Sequence, residues 1–287
     1  MKTDAKLLVT GAKGFVGKNL VCELKNKGFE SILEYDLDTN PSLLEVYTKD
    51  CDFVFHLAGV NRPKDESEFL EGNADFTYLL LESLKKHGNK APILMTSSIQ
   101  AALDNPYGRS KKAGEDYIFG YGNSQGVKTL VYRLPNVFGK WCRPNYNSAV
   151  ATFCNNVAND LPITVNDPSV VMNFVYIDDV VAEFISALND CSNKEDCYCY
   201  VKPVHTISLG EIVELIKSFR QSRTDLYIPN MADAFTKKLY STYLSYLPEK
   251  SFSYPLKMNT DNRGSFTEFI KTIDRGQVSI NVSKPGI

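Results

Sequence analysis

The 287-residue chain predicts an α/β fold: an open, doubly wound, mainly parallel sheet, a smaller C-terminal part and a short β tail. Three observations predict it. Short apolar runs alternate with amphipathic ones over the first 140 residues, and a glycine-rich turn joins the first run to the first helix. From Ser251 onward Gly, Pro, Asn and Asp accumulate around short alternating stretches, as in strands and turns.

In order, Lys6 to Thr10 reads as a strand, Phe15 to Lys27 as a helix with Val16, Leu20 and Leu24 on one face, and Ser31 to Tyr35 and Asp52 to Ala58 as further strands. Strands alternating with helices imply parallel pairing and right-handed crossovers. Phe69, Phe76, Leu80 and Leu84 give Phe69 to Lys86 helical spacing. Pro92 to Ser97 then reads as a strand, Ser110 to Gly120 as a helix and Val127 to Arg133 as a strand. Trp141 to Ser148 is a polar aromatic loop of the kind that lines ligand sites. Ser208 and Glu211 have capping-box spacing before Ile212, Val213 and Ile216. Met231 to Leu247 reads as a helix ended by Pro248, and Gln277 to Val282 as a strand.

Composition narrows the classes. Hydrophobic residues make up 43%, charged residues 23% and aromatics 11%, which fits a globular core and excludes disordered, collagen-like and coiled-coil chains. A net charge of -2 gives no reason to expect nucleic acid as a partner. The seven cysteines are odd in number and never spaced C-x-x-C, as expected of free thiols in a reducing compartment. His56, His87 and His205 lie far apart, so no metal site is expected. The sequence has neither a signal-length apolar start nor a membrane-length run, so a cytoplasmic location is expected.

Gly11-Ala12-Lys13-Gly14-Phe15-Val16-Gly17 follows the first strand and opens the first helix, the order that forms an anion site. Gly11 permits a tight turn, Gly14 lets backbone approach a pyrophosphate, and Gly17 lets helix and strand pack closely. The spacing is one residue longer than G-x-G-x-x-G. Asp36, at the end of the second strand, is placed to accept ribose hydroxyls, and its charge favours NAD. Lys13 is a possible counter-charge, so the choice between NAD(H) and NADP(H) stays open.

A Tyr with a Lys four residues later places phenol and ammonium on one helix face. The pattern occurs as Tyr107/Lys111, Tyr198/Lys202 and Tyr246/Lys250; Pro248 interrupts the last, and the second lies in a β-like run before Pro203. Only Tyr107 opens a helix, directly after the strand ending Thr96-Ser97-Ser98. An ammonium neighbour and an oxidised nicotinamide both favour the phenolate, so Tyr107 is expected to relay a proton to a carbonyl oxygen held by Ser98. His56 reads as a hydrogen-bonded strand-end residue, and Tyr240, Tyr243, Leu244 and Leu247 as a core or dimer stripe.

Seven segments, in this order, resemble an extended short-chain dehydrogenase/reductase of the nucleotide-sugar type across residues 6 to 220. They are Thr10 to Gly17, His56-Leu57-Ala58-Gly59, Gly72-Asn73, Thr96-Ser97-Ser98, Pro106 to Lys111, Arg133 to Gly139 and Phe174 to Val180. The resemblance implies a Rossmann-like fold with Ser98, Tyr107 and Lys111 as the catalytic set. The glycine loop with Leu57, Ala58, Gly59 and Asn73 would then lie at the cofactor, and Asn136 near the nucleotide-sugar phosphates. Val60-Asn61-Arg62-Pro63, Ser98-Ile99-Gln100, Asp104 to Gly108, Phe138 to Cys142 and Pro144 to Ser148 further resemble the capsule and O-antigen branch, in which a reductase domain precedes a zinc-holding cupin.

That branch implies NADPH-dependent reduction of the 4-keto group of a UDP-2-acetamido-2,6-dideoxyhexulose to the L-talo sugar, toward UDP-N-acetyl-L-fucosamine. The expected partners are the UDP-linked amino-deoxy sugar and a second copy of the chain, with neither nucleic acid nor membrane. Met172 stands where many relatives carry a phosphate-binding Arg, so Lys140, Arg143 and Asn147 are the expected substrate contacts. Eight residues separate Ser98 from Tyr107 and no Asp-Glu pair follows Ser98, which favours reduction over dehydration. Asp261 to Glu268 resembles the opening of the cupin. The expected domains are therefore 1-250, divided near 140 into dinucleotide- and substrate-binding parts, and 251-287 as a truncated cupin start, poorly packed unless a partner covers it. A 4-epimerase retaining NAD and a non-catalytic dinucleotide-binding subunit are the rival readings.

Overall fold

The computed structural model describes residues 1–63, 65–273 and 276–286; Ile287, where the expected cupin-like segment stops, lies outside the described residues. β1 (Leu7–Thr10) is wholly buried, and the chain turns through Gly11 into α1 (Phe15–Asn26), whose Leu20 and Leu24 face the core. Burying each such leucine contributes about 1.5–3 kcal/mol. β2 (Ile32–Tyr35) runs parallel to β1. The sequence reading passed over α2 (Ser42–Asp50), which buries only Leu44 and Thr48 and so leaves no clear apolar stripe to detect.

β3 (Phe53–His56) is buried on both faces, as a central parallel strand must be. The expected helix over Phe69 to Lys86 is three pieces: α3 (Ser67–Leu70), one π-helical turn (Glu71–Asp75) and α4 (Phe76–Lys86). β4 (Ile93–Ser98) leads through a 3-10 turn (Ile99–Ala102) into α5 (Pro106–Gln125) and then β5 (Thr129–Leu134). α5 begins four residues earlier than expected, because the Asn105 side chain accepts the Gly108 N–H at 2.7 Å and Pro106 occupies the first helical position.

β6 (Asn136–Phe138), α6 (Ala149–Ala158), β7 (Val171–Tyr176), α7 (Ile177–Leu188), β8 (Lys194–Glu195) and β9 (Tyr198–Cys199) follow. β10 (His205–Ser208) enters α8 (Leu209–Asp225) through the expected capping box at Ser208 and Glu211. α9 (Ala234–Leu244) starts three residues later than expected, where Asp233 caps the Thr236 N–H at 2.7 Å. β11 (Met258–Asp261), β12 (Gly264–Thr272) and β13 (Gly276–Ser283) pair antiparallel.

The main sheet has the order β2-β1-β3-β4-β5-β9-β8, parallel except at the β8–β9 pair, and β10-β7-β6 and β11-β12-β13 form two three-stranded sheets. The fold is thus the Rossmann-like α/β architecture expected. The chain divides into one unit of Met1–Val137 with Phe174–Val204 and another of Phe138–Asn173 with His205–Ile287. It passes between them three times, where boundaries near 140 and 250 were expected. The core of the first unit gathers Leu8, Val54, Ile93, Met95 and Val131 from four strands with Leu80 and Leu84 of α4. All seven cysteines are free thiols. Among the described residues no helix is long and apolar enough to cross a membrane.

Candidate active site

In a parallel sheet the carboxyl ends of the strands share one edge, and there the first unit collects its glycine turn, β2 tip, Ser98 and Tyr107. Gly11 has φ 68°, and a Cβ on it would meet the Ala58 nitrogen at 2.8 Å, so only glycine fits between β1 and β3. A Cβ on Gly17 would strike the Gly11 carbonyl oxygen at 2.1 Å. No side chain caps the N-terminus of α1 and its first turn holds no carboxylate, which leaves its positive end for an anion. The Asp36 carboxylate accepts the Lys13 and Leu37 backbone N–H groups at 2.7 and 2.8 Å, which fixes it beside the glycine turn. The Lys13 ammonium pairs with Asp38. A narrow glycine turn, an uncapped helix start and an acid at the second strand end together fit a dinucleotide.

The eight-residue bridge from Ser98 to Tyr107 is compact. Ser98 caps the 3-10 turn by accepting the Gln100 N–H at 3.2 Å. A Cβ on Gly108 would meet the Gln100 and Leu103 carbonyl oxygens at 2.3 and 2.4 Å, so α5 starts pressed against that turn. Tyr107 thereby opens α5 beside Ser98, whose side chain acts on its phenol, and the Phe69 ring packs 5.5 Å from its ring. Burial holds the phenol above its ordinary value, and the Ser98 hydrogen bond offsets this only in part. The Lys111 nitrogen lies 6.0 Å from the Tyr107 ring centre and donates to the Thr96 carbonyl at 3.4 Å. Burial pushes Lys111 down to about 8, against the field of Glu115. In the chain alone desolvation is the larger influence on the phenol; the expected bias toward the phenolate joins Lys111 to a bound oxidised nicotinamide.

Asn73 sits on the π-helical turn, a distortion frequent at functional sites. It is 1% exposed and its amide is fully used, bonding the Val60 N–H and carbonyl at 3.0 and 2.8 Å and Ser110 at 3.1 Å. A Cβ on Gly59 would lie 2.7 Å from both the Asn73 amide oxygen and the Lys111 nitrogen. Gly59 thus passes against the Asn73–Lys111 pair, while Leu57 and Ala58 lie against Gly11. His56 bridges the Thr10 and Thr77 hydroxyls at 2.8 Å each, and burial, helped by Lys111, takes it down to about 3. It is a neutral strand-end link, as the sequence reading held.

Residues 7–199 match the model of the NAD dependent epimerase/dehydratase family. The chain belongs to this family. It is 46% identical over 282 residues to a Pseudomonas aeruginosa UDP-2-acetamido-2,6-beta-L-arabino-hexul-4-ose reductase, a match covering 98% of this chain and 76% of that protein. To the GDP-6-deoxy-D-mannose reductase of Pseudomonas aeruginosa it is 26% identical over 262 residues, covering 77% of this chain and 82% of that one. The crystal structure of the capsular polysaccharide assembling protein CapF from Staphylococcus aureus superposes with a TM-score of 0.92 at 50% identity, covering 98% of this chain and 76% of that one.

Of the residues picked out for this epimerase/dehydratase chain, the first unit brings together Ser98, Tyr107, Lys111, Gly59 and Asn73, and separately the glycine turn with Asp36. Asn136 is exposed at the start of β6. Lys140, Arg143 and Asn147 belong to the second unit. Lys140 lies 5.8 Å from the Trp141 ring centre and Arg143 lies 5.4 Å from that of Tyr146. Trp141 and Asn145 have left-handed backbones at φ 67° and 55°, and Tyr246 hydrogen-bonds the Cys142 carbonyl, tying the loop to the chain beyond α9. Tyr240 and Tyr243 of the expected stripe pack on Phe219, whereas Leu244 is 39% exposed. The sequence reading missed Glu115, which is fully buried one turn beyond Lys111. The repeated four-residue step Tyr107, Lys111, Glu115 was the available signal.

Proposed function

We propose that this chain is an NAD(P)H-dependent oxidoreductase that reduces the 4-keto group of a UDP-2-acetamido-2,6-dideoxyhexulose to the L-talo sugar, toward UDP-N-acetyl-L-fucosamine for capsule or O-antigen polysaccharide. The observation that carries it is the half-buried Tyr107 phenol at the start of α5, beside Ser98 and with the Lys111 nitrogen 6.0 Å from its ring centre, in a chain 46% identical to a reductase of that name.

The backbone of Gly11, Lys13, Gly14, Phe15, Val16 and Gly17, together with Asp36, the Leu57–Gly59 segment and Asn73, would hold the dinucleotide. When bound in reduced form, that dinucleotide supplies the hydride. Ser98 holds the C4 oxygen, and Tyr107 donates its proton there as negative charge develops. Lys111, as an ammonium, favours the phenolate that Tyr107 becomes. Asn136, Lys140, Arg143 and Asn147 would bind the diphosphate-linked sugar. NADP(H) is the preferred cofactor in this reading, from the capsule-branch resemblance, with NAD(H) as the competitor. A cytoplasmic homodimer completes it, supported by Tyr78 and Tyr117, which stay exposed with rings 5.5 Å apart on α4 and α5.

The test mixes purified chain, NADPH or NADH, and the UDP-keto sugar, and follows loss of reduced-nicotinamide absorbance. Tyr107→Phe should lower kcat about 10²–10⁴-fold while dinucleotide affinity holds. Full turnover by that variant would sink the reading. Stoichiometric NAD retained through purification would support the epimerase instead.

A further inference from the structure

Glu115 is a carboxylate with no exposure and four donors. One oxygen accepts the Ser97 hydroxyl at 2.6 Å and the Arg133 Nε–H at 2.9 Å. The other accepts from Arg133 Nη2 at 2.6 Å and from the Tyr198 hydroxyl at 3.0 Å. The guanidinium in turn lies 3.9 Å from the Tyr198 ring centre and donates to its hydroxyl at 2.7 Å. Ser97 is on β4, Arg133 on β5 and Tyr198 on β9, so this one side chain of α5 is bonded to three adjacent strands of the main sheet. One of those attachments, and the helix face itself, bear on the candidate site. Ser97 precedes Ser98, and Tyr107, Lys111 and Glu115 recur every fourth residue along one face of α5.

A buried ion pair contributes little net stability compared with an apolar replacement. Its geometric effect is larger, because a bidentate fork with two hydroxyl donors fixes position as a single bond cannot. We propose that Glu115 is a positioning residue for the reduction: clamped by Ser97, Arg133 and Tyr198, its carboxylate sets the Tyr107–Lys111 face of α5 against the Ser98 end of β4 and supplies the counter-charge that keeps Lys111 an ammonium. The role rests on the reductase reading of the site.

Among the described residues, the titratable and charged groups facing Lys111 are few. On its own helix they are Tyr107 and Glu115, and from β3 the neutral His56; the Asn73 amide and the Thr96 carbonyl add dipoles only. Glu115 is the group that opposes the burial of Lys111, which loses its proton at about 8. Removing the negative charge therefore moves that proton loss to lower pH.

The experiment compares Glu115→Gln with the wild type by two readouts. The first is the pH profile of kcat/KM for keto-sugar reduction, whose alkaline limb should move down by at least about half a pH unit. The second is the side-chain carbon NMR shift of Lys111 across pH, assigned with Lys111→Arg, whose midpoint should move down by the same amount and which needs no reagent to reach the buried amine. The titration needs no sugar turnover, so a wild type that fails to reduce the sugar refutes the reductase reading while Lys111 still reports on Glu115. Superimposable titration curves overturn the proposal. Ser97→Ala removes one attachment and keeps the ion pair, so it carries the test if Glu115→Gln does not fold. It should lower kcat at least about fivefold with KM within about twofold, since small misplacements at a reacting centre are costly. A wild-type kcat in that variant also overturns the proposal.

Discussion

The Ser98–Tyr107–Lys111 edge and the terminal sheet β11–β13 present similarly patterned residues in opposite surroundings. At the first, small and polar residues are enclosed: Asn73, Ser110, Lys111 and Glu115 are all buried, and Gly59 and Gly108 stand where a single methyl group would collide. At the second, Val278, Ile280 and Val282 alternate as a buried strand face would, yet are 59%, 50% and 57% exposed. Period-two alternation specifies a strand, but burial has to come from something packed on it. The edge around Tyr107 is therefore sensitive to atoms, and the terminal sheet is sensitive only to hydrogen-bonding pattern.

Three changes probe that contrast. The largest effect is expected at Gly59→Ala, whose methyl group must displace the Asn73 amide or the Lys111 ammonium. We expect kcat to fall about 10²-fold with an unchanged circular dichroism spectrum; near-normal turnover would show that the edge yields more easily than its contacts imply. An intermediate effect is expected from His56, buried and neutral between Thr10 and Thr77 with its proton affinity lowered to about 3. Unfolded, it binds a proton below its ordinary value of about 6.5, while the folded state does not. Acidification thus favours unfolding, by about 3 kcal/mol between pH 6.5 and pH 4. The slope of urea-unfolding stability against pH should be shallower in His56→Gln over that window. The smallest effect is expected at Ile280→Ser, where an already exposed side chain loses little. We expect kcat within about twofold and stability within about 0.5 kcal/mol of wild type; a large loss would reveal burial of β13 in the working protein.

The glycine-turn half was legible because its signals are local and reinforce one another. Gly11, Gly14 and Gly17 sit between a β run and an amphipathic helix, and the packing there admits no larger residue at Gly11 or Gly17. Tyr107 was separable from two other Tyr–Lys pairs because only it followed a strand and opened a helix. The start of α5 was misjudged because its cap is a side chain, Asn105, and not an apolar onset. α2 was overlooked for want of a stripe. Burial, the largest influence on the Tyr107 phenol in the chain alone, was not legible because it depends on the whole fold. Glu115 was missed for a similar reason: its three partners come from residues 18, 18 and 83 positions away in the chain.

The bridge between Ser98 and Tyr107 carries a single ionisable side chain, Asp104, and it is held at 2.7 Å by Arg109 on the exposed side. The phenol consequently has no local reserve on that segment from which to be recharged. In the proposed reduction the replacement hydrogen ion has to come by way of the neighbouring Lys111 ammonium or from the medium, so a solvent isotope effect on the return of the enzyme to its resting form gauges how open that edge is to water.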